Sequence, residues 1–173
     1  IDDATPSDSL FAYFFRSQVA HAKIASLNVV DAKNAVGIHG IFIAEDLENN
    51  GVKNDLVGVT VKNRDGTDGA SPKRPLLAKD RVRFVGEPIA LVIADTMQNA
   101  KDAAELIEID YYDLPVSTEL KRGEYTIHPE APENVAFEWH LGDESKTNEL
   151  FEKADKVVSM EVDNNRIIAN SIE

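Results

Sequence analysis

The stretch from Ile89 to Tyr111 constrains the fold more than any other part of this sequence. Ile89-Ala90-Leu91-Val92-Ile93-Ala94 is an unbroken apolar run of strand length, the pattern of a strand covered on both faces. Asp95 or Thr96 follows, each with a side-chain oxygen able to accept a backbone N–H at a helix start. Met97, Ala100, Ala103, Ala104 and Ile107 then fall on one helical face, opposite Gln98, Lys101, Asp102 and Glu105. Ile107-Glu108-Ile109-Asp110-Tyr111 alternates as a half-buried strand, and Leu114-Pro115 ends it. Strand, helix and strand with such short joints are expected to form a βαβ unit near residues 89–112, a right-handed crossover if the strands are parallel neighbours.

Shorter patterns surround this unit. Leu10-Phe11-Ala12-Tyr13-Phe14-Phe15-Arg16 is aromatic and strand-like, and a second strand is expected from Ala22. Asp31 to Ala35 has room for one helical turn, which Gly37 stops. Gly40-Ile41-Phe42-Ile43-Ala44 has the length of a buried strand, Glu45-Asp46-Leu47 leads out of it, and Arg81-Val82-Arg83-Phe84-Val85 alternates. A helix is expected across 148–153 with Ser145 at its start, and Lys156-Val157-Val158-Ser159-Met160-Glu161-Val162 reads as a final strand. Between 48 and 75 the turn signals crowd together: Asn50-Gly51, Asp65-Gly66, Asp68-Gly69, Pro72 and Pro75. Only 56–61 has strand character there, so an exposed loop excursion is expected. The class that follows is α/β, or α+β with a mixed sheet.

Charge and composition exclude several functions. A chain of 173 residues is long enough to bury a sizeable core. Eighteen basic against 31 acidic residues give a net charge of −13, which opposes binding to nucleic acid or to anionic membrane surfaces. No cysteine is present, which excludes disulfides, Cys-ligated zinc, Cys-held iron–sulfur clusters and thiol nucleophiles on this chain. The same absence fits a reducing, cytoplasmic location. No apolar run approaches the ~20 residues that span a bilayer, so no membrane insertion is expected.

The residues that carry chemistry are few and scattered. There is no GxGxxG turn after a strand and no GxxxxGK[ST] loop, so the unit at 89–112 lacks the glycines that bring backbone against a pyrophosphate. The acid-rich stretch Asn63 to Gly69 lacks the alternating ligands and terminal glutamate of a calcium loop. His21, His39, His128 and His140 never share the i, i+4 spacing of a helical metal site. Glu87 is the most unusual carboxylate: it stands between Gly86 and Pro88 just before the apolar strand, where a tight turn can aim it inward to accept backbone N–H groups. Trp139 is expected to pack in the interior.

Several blocks, taken in order, carry a resemblance. These are Phe15-Arg16-Ser17 with Ala20-His21-Ala22-Lys23-Ile24, then Pro75-Leu76-Leu77-Ala78-Lys79-Asp80, then Arg81 through Thr96 with Ala103 to Tyr111 and Leu114-Pro115. His128-Pro129-Glu130-Ala131-Pro132-Glu133-Asn134-Val135-Ala136, Gly142-Asp143 and Phe151-Glu152-Lys153-Ala154-Asp155 follow. Together they resemble the large subunit of the molybdenum hydroxylases, the family of xanthine dehydrogenase, aldehyde oxidase and the aerobic carbon monoxide dehydrogenases. The resemblance implies that family's α/β hammerhead domain over residues 1–162, with 48–75 as its exposed excursion. Residues 163–173 resemble the start of the molybdenum-cofactor-binding region, although the family often has Pro and Met where Ser171 and Ile172 stand. Both ends look cut on this likeness.

By resemblance, the complete protein is a molybdenum-dependent oxidoreductase. It would oxidise or hydroxylate an aldehyde, an N-heterocycle or carbon monoxide at a molybdopterin centre. Electrons would pass through 2Fe–2S clusters to FAD or another acceptor on partner domains or subunits of an oligomeric enzyme. The family's catalytic glutamate and pterin-binding loops lie beyond Glu173, so no catalytic, cofactor-binding or metal-ligating residue is expected on this chain, and the fragment alone is expected to be inactive. Its role would be structural, packing against its own downstream molybdenum-binding domains. Two other readings compete: a stand-alone binding or adaptor module that uses loop 48–75, and a small hydrolase or isomerase that uses Glu87 with His21 or His128.

Overall fold

Backbone pairing sorts the strands into two three-stranded sheets, in a computed structural model that describes residues 6–56, 58–119, 122–123, 125–162 and 164. In chain order the elements are β1 (Phe11–Arg16), β2 (Ala22–Asn28), α1 (Val30–Lys33), β3 (Ile38–Phe42) and α2 (Ala44–Asn49). They continue with β4 (Arg81–Val82), β5 (Pro88–Ala94), α3 (Met97–Glu105), β6 (Glu108–Asp113) and α4 (Glu144–Glu152). The first sheet has the order β1-β5-β3 and the second β4-β2-β6. Every strand pairing among the described residues is antiparallel.

The apolar run at 89–94 is explained by its position. β5 is the central strand of its sheet, with Leu91 facing Phe14 on one side and Phe42 on the other. One face of it is covered by α3 through small side chains: Ala90, Val92 and Ala94 form one buried cluster with Ala100, Ala103 and Ala104. Alanine here lets the helix axis approach the sheet closely, and each extra methylene would push it away. A second cluster, Ala22, Ala78, Val82 and Ile89, lies between the sheets, and Phe15 and Leu27 pack against both clusters.

The expected parallel crossover is not formed. Strand, helix and strand follow one another as β5, α3 and β6, but β6 pairs with β2 in the other sheet. The reason is that both edges of β5 are already taken by β1 and β3, so the chain leaving α3 finds no free edge beside it. The mixture of helix and strand stands, and the mixed sheet is replaced by two antiparallel ones.

Helix starts follow local chemistry. Thr96, not Asp95, caps α3, its Oγ1 accepting from the Asn99 N–H at 3.1 Å. Asp143 caps α4 in place of Ser145, accepting from the Lys146 N–H at 2.9 Å. Glu45-Asp46-Leu47, read as a lead out of a strand, lies in α2, where the Asp46 carboxylate accepts from the Ile43 N–H at 2.9 Å. Gly37 follows α1 with φ +75° and its carbonyl accepts from the Asp95 N–H at 2.9 Å. At φ +75° any side chain is strained, and a Cβ at Gly37 would also lie 2.2 Å from the Asn99 amide nitrogen, which would have to turn away.

The excursion at 48–75 is held by the segment before β4, through Asn54 with the Leu77 backbone and Glu48 with Lys79, and by the chain that follows the sheets. Among its described residues it contains two isolated bridges, Leu56 with Arg74 and Lys62 with Asp68, where a strand over 56–61 was expected; Val57 lies outside the described residues. Ala70 N–H donates to the Ala136 carbonyl at 2.6 Å, Glu138 N–H to Asn63 Oδ1 at 2.9 Å, and Arg64 pairs with Glu144. The strand pattern at 81–85 yields pairing only over Arg81–Val82. Residues 156–162 form no strand, and their apolar side chains are exposed. No helix among the described residues is long and apolar enough to cross a membrane.

Two substitutions test this packing by urea unfolding. Ala103→Leu is expected to lower stability by about 1–3 kcal/mol through overpacking against β5. Thr96→Ala is expected to cost about 1 kcal/mol through loss of the cap. Unchanged stability in the first would show that α3 does not rest on β5 through its alanines.

Candidate functional site

Three of the residues singled out in the sequence come together where the chain passes from one sheet to the other. Glu87 lies in the joint between β4 and β5, His21 in the joint between β1 and β2, and His128 in the turn-rich segment after β6. The joint at Glu87 is tightly built. Gly86 takes φ +93°, which a side chain would strain, and its N–H donates to the Ser17 carbonyl at 2.8 Å. Ser17 N–H returns a bond to the Glu87 carbonyl at 2.9 Å, and Arg16 Nη1 donates to the Gly86 carbonyl at 2.8 Å.

The Glu87 side chain turns inward and is 3% exposed. One carboxylate oxygen accepts the backbone N–H of Arg83, and the other lies 3.5 Å from Arg83 Nη1. Burial pushes this carboxyl above the usual carboxylate range, against the opposing pull of the Arg83 N–H, the Arg83 guanidinium and His21. His21, 5% exposed, places Nδ1 2.6 Å from the Pro115 carbonyl. A carbonyl can only accept, so Nδ1 carries the proton. Its Nε2 is buried with no hydrogen-bond partner, as is Nε of Arg83.

His128 is half-buried beside the same group. Burial holds its imidazole below the ordinary value, and the charges of Arg83, His21 and Arg81 add to that, with Glu130 opposing. Tyr111 on β6 has its phenol raised by burial and partly restored by a hydrogen bond with Ser17. Arg83, Ser17 and Tyr111 were not singled out in the sequence. The only signal for Arg83 was its place four residues before Glu87, across the Gly86 turn.

The remaining candidates lie elsewhere. His39 pairs with Asp95 at 2.6 Å on the exposed start of α3, and His140 is exposed. Trp139 is 64% exposed, so the expected interior packing is not found; it follows Glu138, whose N–H is bonded to the excursion, and its ring is left outside. Among the described residues, no three His, Asp or Glu side chains converge as a metal ion would require. Glu87 bonds to the Arg83 N–H and faces its guanidinium, and His21 bonds to the Pro115 carbonyl, contacts that tie the joint together.

That role has a pH signature. The Glu87 carboxyl is raised in the folded chain, so its contribution to stability is full below the ordinary glutamate value and is lost as pH rises through the folded-state value. The stability of Glu87→Gln relative to the parent is therefore expected to increase from pH 4.5 to pH 7.5 in urea unfolding. Glu87→Ala, which orphans the Arg83 N–H, is expected to cost about 1–3 kcal/mol. A Gln variant whose relative stability is flat with pH would remove Glu87 from the buried cluster.

Comparison with known proteins places this geometry. The family model described as aldehyde oxidase and xanthine dehydrogenase, a/b hammerhead domain, matches residues 1–115, the span that holds both sheets and their core. The nicotine 6-hydroxylase large subunit of Paenarthrobacter nicotinovorans is 30% identical over 179 aligned positions, covering 100% of this chain and 21% of that protein. Reconstituted CO dehydrogenase from Oligotropha carboxidovorans has a TM-score of 0.66 at 30% identity over 90% of this chain and 20% of the other. Quinoline 2-oxidoreductase from Pseudomonas putida 86 has a TM-score of 0.60 at 33% identity, over 66% of this chain and 14% of the other. The chain spans about a fifth or less of the length of these relatives. On the match to more than half its length, the chain belongs to the aldehyde oxidase and xanthine dehydrogenase family, as its a/b hammerhead domain.

Proposed function

We propose that this chain is a structural and interface segment of a molybdenum hydroxylase large subunit, with no catalytic, cofactor-binding or metal-ligating residue of its own. The observation that carries this reading is the run of exposed apolar side chains that follows the two sheets. Phe137, Trp139, Leu141, Leu150, Phe151, Val158 and Met160 are all exposed, the last two at 80% and 84%. Apolar surface gathered in one stretch of chain is the mark of a face that another part of the protein covers. The polar cluster at Glu87 supports the same reading, because its carboxylate is taken up by Arg83.

The hammerhead domain would extend to residue 162, with 48–75 as its exposed excursion. Residues 163–173, of which only 164 is described, would open the molybdenum-binding region. The rest of the large chain would carry the molybdopterin centre and oxidise or hydroxylate an aldehyde, an N-heterocycle or carbon monoxide. Iron–sulfur and flavin subunits or domains would take the electrons in an oligomeric enzyme. Relatives that act on nicotine, quinoline and carbon monoxide, as their names state, support this range without choosing within it. A cytoplasmic location fits the absence of cysteine.

The test is the metal content of the native protein, captured from its source with an antibody against this chain. Molybdenum and iron on an assembly much larger than 19.1 kDa are expected. A metal-free species of 19.1 kDa would overturn the proposal. In the native assembly, replacing Val158 and Met160 together by Lys is expected to lower the yield of intact complex. Full yield would show that this stretch faces water.

A further inference from the structure

We propose, resting on the reading of this chain as an interface segment, that the cation-lined hollow between the excursion and β4 docks an acidic segment of a partner subunit. The hollow has a volume of about 490 Å³ and two walls. Lys53 and Lys73 line it from the excursion, and Lys79, Arg81 and Arg83 line it from the segment that enters β4 and the joint after it. Five of the chain's 18 basic residues thus face one hollow, on a chain whose net charge is −13.

Sheet register adds a sixth cation. β2 and β4 pair with Lys23 directly opposite Arg81, and like charges in that relation repel. β4 is an edge strand, so no further strand of the sheet lies beyond Arg81.

The carboxylates at hand offset only part of this charge. Glu48 is bonded to Lys79 at 2.6 Å, and Asp80 acts on the same ammonium. Asp55 accepts from the Arg74 N–H at 3.1 Å, and Arg83 is taken up by Glu87. Lys23, Lys53, Lys73 and Arg81 are left without an ion pair among the described residues.

This charge selects the occupant. Lysine ammonium groups on one wall and the half-buried guanidinium of Arg81 on the other match a run of carboxylates, which a guanidinium can hold through two parallel bonds. None of the lining residues is a glycine or opens a helix, so the lining lacks the backbone N–H cradle that seats a phosphate. Complementary charge steers and registers molecules that meet by diffusion, an advantage to a separate subunit that a covalently continuous segment does not need.

Carbodiimide coupling on the intact native assembly tests the site, because it joins an amine to a carboxylate only where the two touch. Peptides holding Lys53 or Lys73 are expected to be joined to Asp or Glu of a second polypeptide. Raising salt from about 0.05 M to about 0.5 M is expected to lower the yield at least about threefold, since exposed charge pairs are screened. Arg81→Glu keeps both lysines and is expected to lower it by at least about the same factor. No joined peptides, joining only within the polypeptide that carries this chain, or a yield indifferent to salt or to Arg81→Glu would each overturn the docking site. Molybdenum and iron on a large assembly without such coupling would remove this site and leave the interface reading standing; a metal-free 19.1 kDa species would remove both.

Discussion

The bond from the Arg83 N–H to the buried Glu87 carboxylate sits at the point on which both sheets depend. β4 belongs to one sheet and β5 to the other, and the residues between them must reverse the chain without a gap. A turn this short leaves its own N–H groups pointing inward, where water cannot reach them. Glu87 satisfies one of them, and Ser17, in the other joint between the sheets, satisfies another through its carbonyl. The two joints are therefore bonded to each other. The price of this arrangement is a buried carboxylate, and Arg83 offsets part of it from four residues away.

The same geometry explains why the small residues fall where they do. With β1 and β3 on its two edges, β5 can be covered further only on its faces, and α3 lies on one of them through alanine. Ile89 faces the other cluster with Ala22, Ala78 and Val82. Ile89 at the foot of β5 and Phe15 at the end of β1 sit next to the two joints, so the polar cluster and the second apolar cluster share their walls. Moving either joint would displace both.

Much of this was legible in the sequence, and the failures have identifiable causes. The apolar run at 89–94, the capped amphipathic helix after it and the alternation at 107–111 are local patterns, and each formed as read. The partner of β6 was not legible, because edge availability around β5 depends on β1 and β3, which lie far away in the chain. Glu87 was legible as an inward carboxylate because Gly86 and Pro88 frame it. Its partner was not, since Arg83 reads simply as one more residue of an alternating strand. Trp139 and the stretch at 156–162 were misread for one shared reason. An apolar pattern states that a surface needs covering, and it does not state that the cover lies within the same stretch of chain.

That distinction separates the two halves of this molecule. Up to about Pro115 two sheets and α3 close a core over part of the apolar side chains, while others, Val36, Val59 and Val85 among them, stay exposed. Beyond it the polar bonds are abundant: Arg122 with Glu133 and Glu138, Arg64 with Glu144, Asn63 with the Glu138 N–H. Yet Leu150, Phe151, Val158 and Met160 remain in water. Surface ion pairs of this kind contribute little to stability, about 0–1 kcal/mol each, so they can orient the segment but cannot replace a core. A net charge of −13 adds repulsion that works against tighter collapse of an acidic chain on itself. Under the proposed function, these exposed side chains would be covered by another part of the large subunit, with the polar bonds setting the orientation of the segment beforehand.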